Sequence, residues 1–581
     1  MFRSWPSPLP TPSTWVVVGA AGGAVIAVVA VIKDFSGLWF GPIMRCRAYP
    51  RLQDGRPVEP VFAPTFPFGN MARLMRVPPV EQFKTLMQAS AKTLGYAVTF
   101  ILSRPRVNVI DNDEAVKVVL GAKVTVARSD RTIGKQMPVW DRLFGKGLFM
   151  VGPTDWKRQH RICMRGFGPK MLDRFASVVA DTVASEFKAL EGAAAGDRHP
   201  LQRSHSGRTL ERQATSLGIC GNSDGQLAVW DPAVFLKTMA ARVISKVAFG
   251  QGIDVDDESA IAEAFSVWEQ ASSDPRYLLP HYIDLPFSGP RAARKAIKGL
   301  HLLAEKFIAR ERETIAAGDE HQNLLSVLVH ARDDDGGKLD EDELVHNVYS
   351  FLGAGVSTTS DALATILFLL ARHPEIQSKL HQELATGPLE WEFVKDLPYL
   401  SAVIAESLRL WPPVAGSIAR QLTDDVVLPG GLRVGKGINV GVNSATLQRR
   451  PGVWGADADK FRPERFIEGQ GKDQGIGNPM SPHKLPPGVP DTAFPVFGYG
   501  ARPCIGRPLA VMEMKMTLAQ ALRRFSIEEM EPESFEMVLA TPFQFPKRSL
   551  KLGLRRRSQQ FSGSCDCSYS GSPRLLARGG S

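Results

Sequence analysis

Phe497-Gly498-Tyr499-Gly500-Ala501-Arg502-Pro503-Cys504-Ile505-Gly506 puts one cysteine in a glycine-rich turn, with an arginine two residues before it. The segment Leu509 to Met516 that follows is largely apolar and reads as a helix. Cys504 therefore sits where a loop becomes a helix N-terminus. Unpaired backbone N–H groups and the positive end of the helix dipole favour thiolate over thiol there. Gly498 and Gly500 permit a sharp loop, and Gly506 lets a flat group come close to the backbone. Arg502 offers a planar, permanently charged fork for a carboxylate. A thiolate beside Phe497 and an anion-binding arginine is what a haem iron with carboxylate-bearing edges requires.

The chain has 581 residues, 44% of them hydrophobic and 22% charged, an ordinary globular composition with ample length for a large core. A net charge of +10 fits nucleic acid, a membrane surface or an acidic protein partner. No zinc spacing, RNA-recognition signature or lysine-rich block with interleaved aromatics supports nucleic acid. Cys46, Cys163, Cys220, Cys504, Cys565 and Cys567 are too thinly spread for a disulfide framework, which points to a reducing compartment.

Trp15 to Ile32 is an uncharged run rich in Val, Ala and Gly. As a helix it spans about 27 Å, enough for a thinner bilayer such as the endoplasmic reticulum. Arg3 alone precedes it, while Lys33, Arg45, Arg47 and Arg51 follow, so the positive-inside bias places the bulk of the chain in the cytosol. A cleaved signal peptide competes with this reading, but it would export a chain without a disulfide pattern. Residues 57–80 are Pro-rich and read as a stiff connector. Val98–Leu102 and Val107–Ile110 read as a strand pair, and residues 426–438 as short hairpin strands.

Further along, Trp156 and His160 are four apart in a stretch that reads as a helix and share one face, with Arg161 one residue on. Residues 192–232 are polar and Gly/Ser-rich and read as a long loop or partly disordered insertion. Asp340-Glu341-Asp342-Glu343 starts a long helix towards Leu370 in the manner of a capping box. In its middle Ala354 and Gly355 leave space beside the backbone, with Thr358 one turn after Ala354. Glu406 and Arg409 lie on one side of another helix, upstream of Pro463-Glu464-Arg465-Phe466.

The opening stretch resembles F-x-x-G-x-R-x-C-x-G, the haem-binding signature of the cytochrome P-450 family, matched at all five fixed positions. The resemblance covers roughly residues 60–555. It implies a mainly α fold with small β-sheets and a long central helix over the haem. Haem b would be held by Cys504 as axial ligand to the iron, by Arg502, Phe497, Gly498 and Gly506 of its loop, and by Ala354 and Gly355 on the central helix. Trp156 with His160 or Arg161 would hold one propionate and Arg420 the other; the family carries arginine where His160 stands. Thr358, with Ser357 in place of the family's acid, would relay protons. Glu406, Arg409 and Arg465 would form a buried structural triad.

The same resemblance implies a monooxygenase of a lipophilic substrate, a sterol or a fatty acid. NADPH would supply electrons through a flavoprotein reductase, with a cytochrome b5-like donor as a further partner, at the endoplasmic reticulum membrane. A peroxide isomerase that needs no reductase, or a haem-binding membrane protein without turnover, are the alternatives. The expected organisation is a short segment 1–14, an anchor 15–32, a linker 33–80, a haem domain 81–557 and a disordered tail 558–581. Insertions fall at about 192–232 and about 469–490.

Overall fold

The computed structural model describes residues 49–60, 79–101, 104–121, 126–127, 138–194, 219–223, 227–250, 255–278, 281–318, 323–332, 336–416, 419–468, 485–530, 537–540, 543–546 and 550–557. The expected anchor, most of the linker, residues 195–218 and 469–484 of the two insertions and the tail from 558 lie outside these residues.

Helices dominate. Those of seven residues or more are α1 (Pro79–Ala91), α2 (Asp113–Leu120), α3 (Pro138–Phe144), α4 (Pro153–Arg165), α5 (Pro169–Ala194), α6 (Pro232–Phe249) and α7 (Val255–Ser273). They continue with α8 (Ser288–Ala316), α9 (Leu324–His330), α10 (Glu341–Arg372), α11 (Pro374–Leu384), α12 (Pro398–Leu410) and α13 (Arg507–Arg524).

The strands are β1 (Tyr96–Ile101), β2 (Arg104–Val109), β3 (Val126–Ala127), β4 (Ile219–Ser223), β5 (Leu227–Trp230), β6 (Arg420–Leu422) and β7 (Val426–Leu428). After them come β8 (Leu432–Val434), β9 (Asn439–Val442), β10 (Phe525–Glu529), β11 (Met537–Ala540), β12 (Phe543–Pro546) and β13 (Leu552–Arg556). The largest sheet runs β1-β2-β9-β6-β3, with β2 and β9 parallel and its other pairs antiparallel. A second sheet runs β10-β13-β5-β4, and β7-β8 and β11-β12 are separate hairpins.

β4 and β5 correct the reading of residues 192–232 as loop throughout. Along β5, Ala228 and Trp230 are buried while Leu227 and Val229 are less so, and β5 pairs antiparallel with β13. Four alternating residues in a polar stretch are too few to register as a period. Asp231 then caps α6 by accepting from the Ala233 amide at 3.0 Å, with Pro232 in the first turn.

α10 crosses the core. Its start is a true capping box: Asp340 accepts from the Glu343 amide at 2.7 Å, and Glu343 accepts from the Asp340 amide at 2.9 Å. Glu343 also pairs with Arg158, and Gln159 donates to Asn347's neighbour Glu343 at 3.2 Å, so α4 is tied to the head of α10. Further on, Leu363, Ile366, Leu367 and Leu370 are fully buried. Each such side chain contributes about 1.5–3 kcal/mol of hydrophobic stabilisation. α10 is also the one described helix long and apolar enough to cross a membrane, but it is a core helix.

A buried ion triad sits beside α12. Arg409 meets Glu406 twice, Nε to Oε2 at 2.6 Å and Nη2 to Oε1 at 2.8 Å. Arg465 reaches Glu406 Oε1 at 2.9 Å. Glu406 and Arg409 are 0% exposed and Arg465 5%. Spare guanidinium protons go to backbone: Arg409 Nη1 to Gln448 O at 2.7 Å, Arg465 Nη1 to Trp454 O at 3.1 Å. Arg409 also lies 5.0 Å over the Trp454 ring, and Trp454 and Phe466 each contact Phe494, three residues before Phe497. The triad is thus connected to the cysteine loop through packed rings.

Removing Glu406 leaves two guanidiniums buried without the carboxylate they share, a loss of about 3–5 kcal/mol. Glu406→Ala is therefore expected to lower the urea unfolding midpoint by that amount of stability. A midpoint within error of wild type would show that the triad contributes nothing.

Candidate active site

The cysteine loop is shaped by two left-handed glycines, Gly498 at φ +82° and Gly500 at φ +75°. A Cβ on Gly500 would collide with the Leu120 carbonyl at the end of α2, and the Ala501 amide donates to that same carbonyl at 3.3 Å. The loop is closed by the Cys504 amide donating to Phe497 O at 2.7 Å. Gly506 is the N-cap of α13, and a Cβ there would meet only open space.

Cys504 is exposed at its surface, yet enough protein surrounds the sulfur that burial pushes its thiol up. The amides of Gly506 and Arg507 and the Arg507 charge act the other way, as a helix N-terminus should. Burial is the larger cause. The helix terminus lowers the cost of the thiolate, burial raises it, and a bound cation is what would hold the thiolate. Arg507, whose guanidinium lies 5.8 Å over the Phe497 ring, is a site residue that sequence reading missed; its signal is a cation in the first turn after the cysteine.

Four side chains from three elements meet beside this loop. Trp156 and His160 of α4 stack at 4.5 Å between ring centroids, 28° apart. The Arg502 guanidinium lies 4.5 Å over Trp156 and its Nη1 donates to Val151 O at 3.2 Å. Arg420, at the start of β6, is buried and close enough that the two cations disfavour each other. Burial and Arg420 bring Arg502 down to about 9, and burial brings Arg420 down to about 10. No carboxylate pairs with Arg502 among the described residues. Arg161 is exposed, on a stripe with Lys157 and Arg165.

On α10 the site is one open turn in a buried helix. Ala354 is exposed and Thr358 half-buried, and Thr358 Oγ1 donates to Ala354 O at 2.7 Å. Gly355 is turned elsewhere: a Cβ on it would lie 2.9 Å from Ile244 Cγ1 of α6. Its missing side chain serves helix packing, as does that of Gly353, where a Cβ would lie 2.7 Å from Phe265 Cε1 of α7. Spacing alone could not distinguish that use from a ligand groove. Ser357 is buried, and its hydroxyl has no hydrogen-bond partner among the described residues.

These residues fit haem. Arg502, with no carboxylate partner among the described residues, suits an anion, the space beside Gly506 admits a flat group, and an exposed cysteine at a helix N-terminus suits an iron ligand. The Glu406 triad stands apart as structure, its charges already matched within the protein.

A family model described as Cytochrome P450 matches residues 219–554. Among relatives, cytochrome P450 94C1 of Arabidopsis thaliana is 31% identical, over 70% of this chain and 77% of its own. Pentalenene oxygenase of Streptomyces avermitilis is 26% identical, over 74% and 86%. The ultra-long-chain fatty acid omega-hydroxylase of Homo sapiens is 26% identical, over 72% and 74%. With more than half its length under the family model and its cysteine loop built as described, the chain belongs to the cytochrome P450 family and is an oxidoreductase of the monooxygenase kind.

Proposed function

We propose that this protein inserts one oxygen atom from O2 into a C–H bond of a fatty-acyl substrate, drawing electrons from NADPH through a flavoprotein reductase. The observation that carries the chemistry is the exposed Cys504 in a loop whose Arg502 pairs with no carboxylate among the described residues. Haem, when bound, supplies the activation of O2. The chain's own residues do the rest. Cys504 Sγ would hold the iron, with the Gly506 and Arg507 amides spreading its charge. Arg502, Arg420, Trp156 and His160 hold the carboxylate edge. Thr358, its hydroxyl on an open turn, accepts a proton from water and passes one on. Ser357 adds a second hydroxyl to that relay.

The fatty-acyl choice rests on relatives named as omega-hydroxylases; pentalenene oxygenase keeps other lipophilic substrates, sterols included, in the test panel. The exposed stripe Lys157, Arg161 and Arg165 suits an acidic reductase. The run Trp15 to Ile32 is the proposed membrane anchor, its length and flanking charges fitting the endoplasmic reticulum.

Binding spectra against fatty acids and sterols, then NADPH- and reductase-dependent product formation, test the reading. A shift with fatty acids is expected; product without reductase, or haem binding without product, would favour the two alternatives. Cys504→Ala is expected to abolish the thiolate-type reduced carbon monoxide spectrum, and an unchanged spectrum would remove Cys504 as ligand. Thr358→Ala is expected to cut product formation roughly a hundredfold, the lower range for a lost proton-transfer group, while peroxide release rises. Full turnover without extra peroxide would sink the relay. The full-length chain should stay with membranes through a carbonate wash, and recovery in the soluble fraction would count against the anchor.

A further inference from the structure

We infer that His160 couples cofactor retention to pH, taking up a proton when a haem carboxylate settles against it and releasing that proton when the cofactor leaves. The inference rests on the haem-binding reading above and adds a property that an arginine at this position would not confer.

His160 has one face against Trp156, and that same indole carries the Arg502 guanidinium at 4.5 Å. A second cation against the same indole is unfavourable, and no carboxylate pairs with Arg502 among the described residues. Burial and the Arg502 charge accordingly hold His160 below its ordinary range. Other charges near it are committed or point outward. Arg158 pairs with Glu343 and lies 3.9 Å from Asp155, while Lys157 and Arg161 are exposed. α9, which packs on α4, carries a single titratable side chain, the exposed His330.

A carboxylate within hydrogen-bond reach reverses the sign, because an opposite charge favours the protonated imidazole. The pKa of His160 is then low without cofactor and higher with it. Between those two values binding takes up a proton, so affinity falls as pH rises; outside them His160 contributes no slope. Cys504 contributes the opposite slope, since a thiol loses its proton to bind iron. Arginine at position 160 removes the first contribution and leaves the second.

The test uses the full-length protein, His160→Arg and His160→Gln, each loaded with haem. Haem loss to an apoglobin scavenger is followed by Soret absorbance between about pH 6 and pH 9. The ratio of wild-type to His160→Arg loss rates is expected to climb with pH, by up to about tenfold per pH unit within the window. His160→Gln should lose haem faster than wild type at low pH and converge on it at high pH. That second comparison stands even if His160→Arg fails to fold. Ratios independent of pH, with a normal Soret band, overturn the inference alone. Absence of any Soret band in the wild type overturns the haem reading as well.

Discussion

Everything near the site depends on one constraint: a helix of 32 residues must be buried nearly throughout and yet open for a single turn. Fully buried leucines and isoleucines past Ser360 hold its far half in place, and the capping box with Arg158 and Gln159 fixes its head. Between these anchors, Phe265 and Ile244 press into the gaps at Gly353 and Gly355. Neighbouring helices therefore close around the turn on those sides, and Ala354 and Thr358 are what remains open. The opening comes from close packing on the adjacent faces, not from looseness.

The charges divide on the same principle. Glu406 and Asp457 together balance two guanidiniums that are almost wholly removed from water, and further protons there go to backbone carbonyls. An uncompensated buried ion costs several kcal/mol, so such an arrangement is closed and purely structural. Arg502 shows the opposite pattern. Its neighbours are an indole, a carbonyl oxygen and another arginine, and burial works against its charge. A protein that matches its cations so fully at one place and, among the described residues, leaves Arg502 without a carboxylate at another has left room for an anion.

Much of this was legible in the sequence where the signal is local. The glycine turn at Cys504, the capping box at Asp340 and the i, i+4 pair Trp156 and His160 each need only a few consecutive residues. The buried triad was legible through its two short motifs. What escaped depends on contacts between distant segments. Gly355 reads identically whether its empty side faces a ligand or Ile244, and only the approach of α6 decides. β5 needs β13, over three hundred residues away in the chain, to become a strand, and Arg507 needs Phe497 folded back beneath it. At Cys504 the helix terminus is a local signal, whereas the burial that opposes it is the work of the whole fold.

His160 and Ser357, where the chain departs from its family, replace a charged group by one that is neutral or can become so. The consequences differ because their surroundings differ. His160 lies beside the Arg502 cation, so its charge follows whatever anion is present. Ser357 is buried and cannot ionise, so under the proposed function it holds a proton path open without driving it. The directional part of that path then falls to Thr358, whose O–H turns from Ala354 O to hand a proton on while its lone pairs receive one from water. A relay built this way takes its protons from water at the pace water can be exchanged. The openness of that one turn of α10 therefore matters to the chemistry as well as to access.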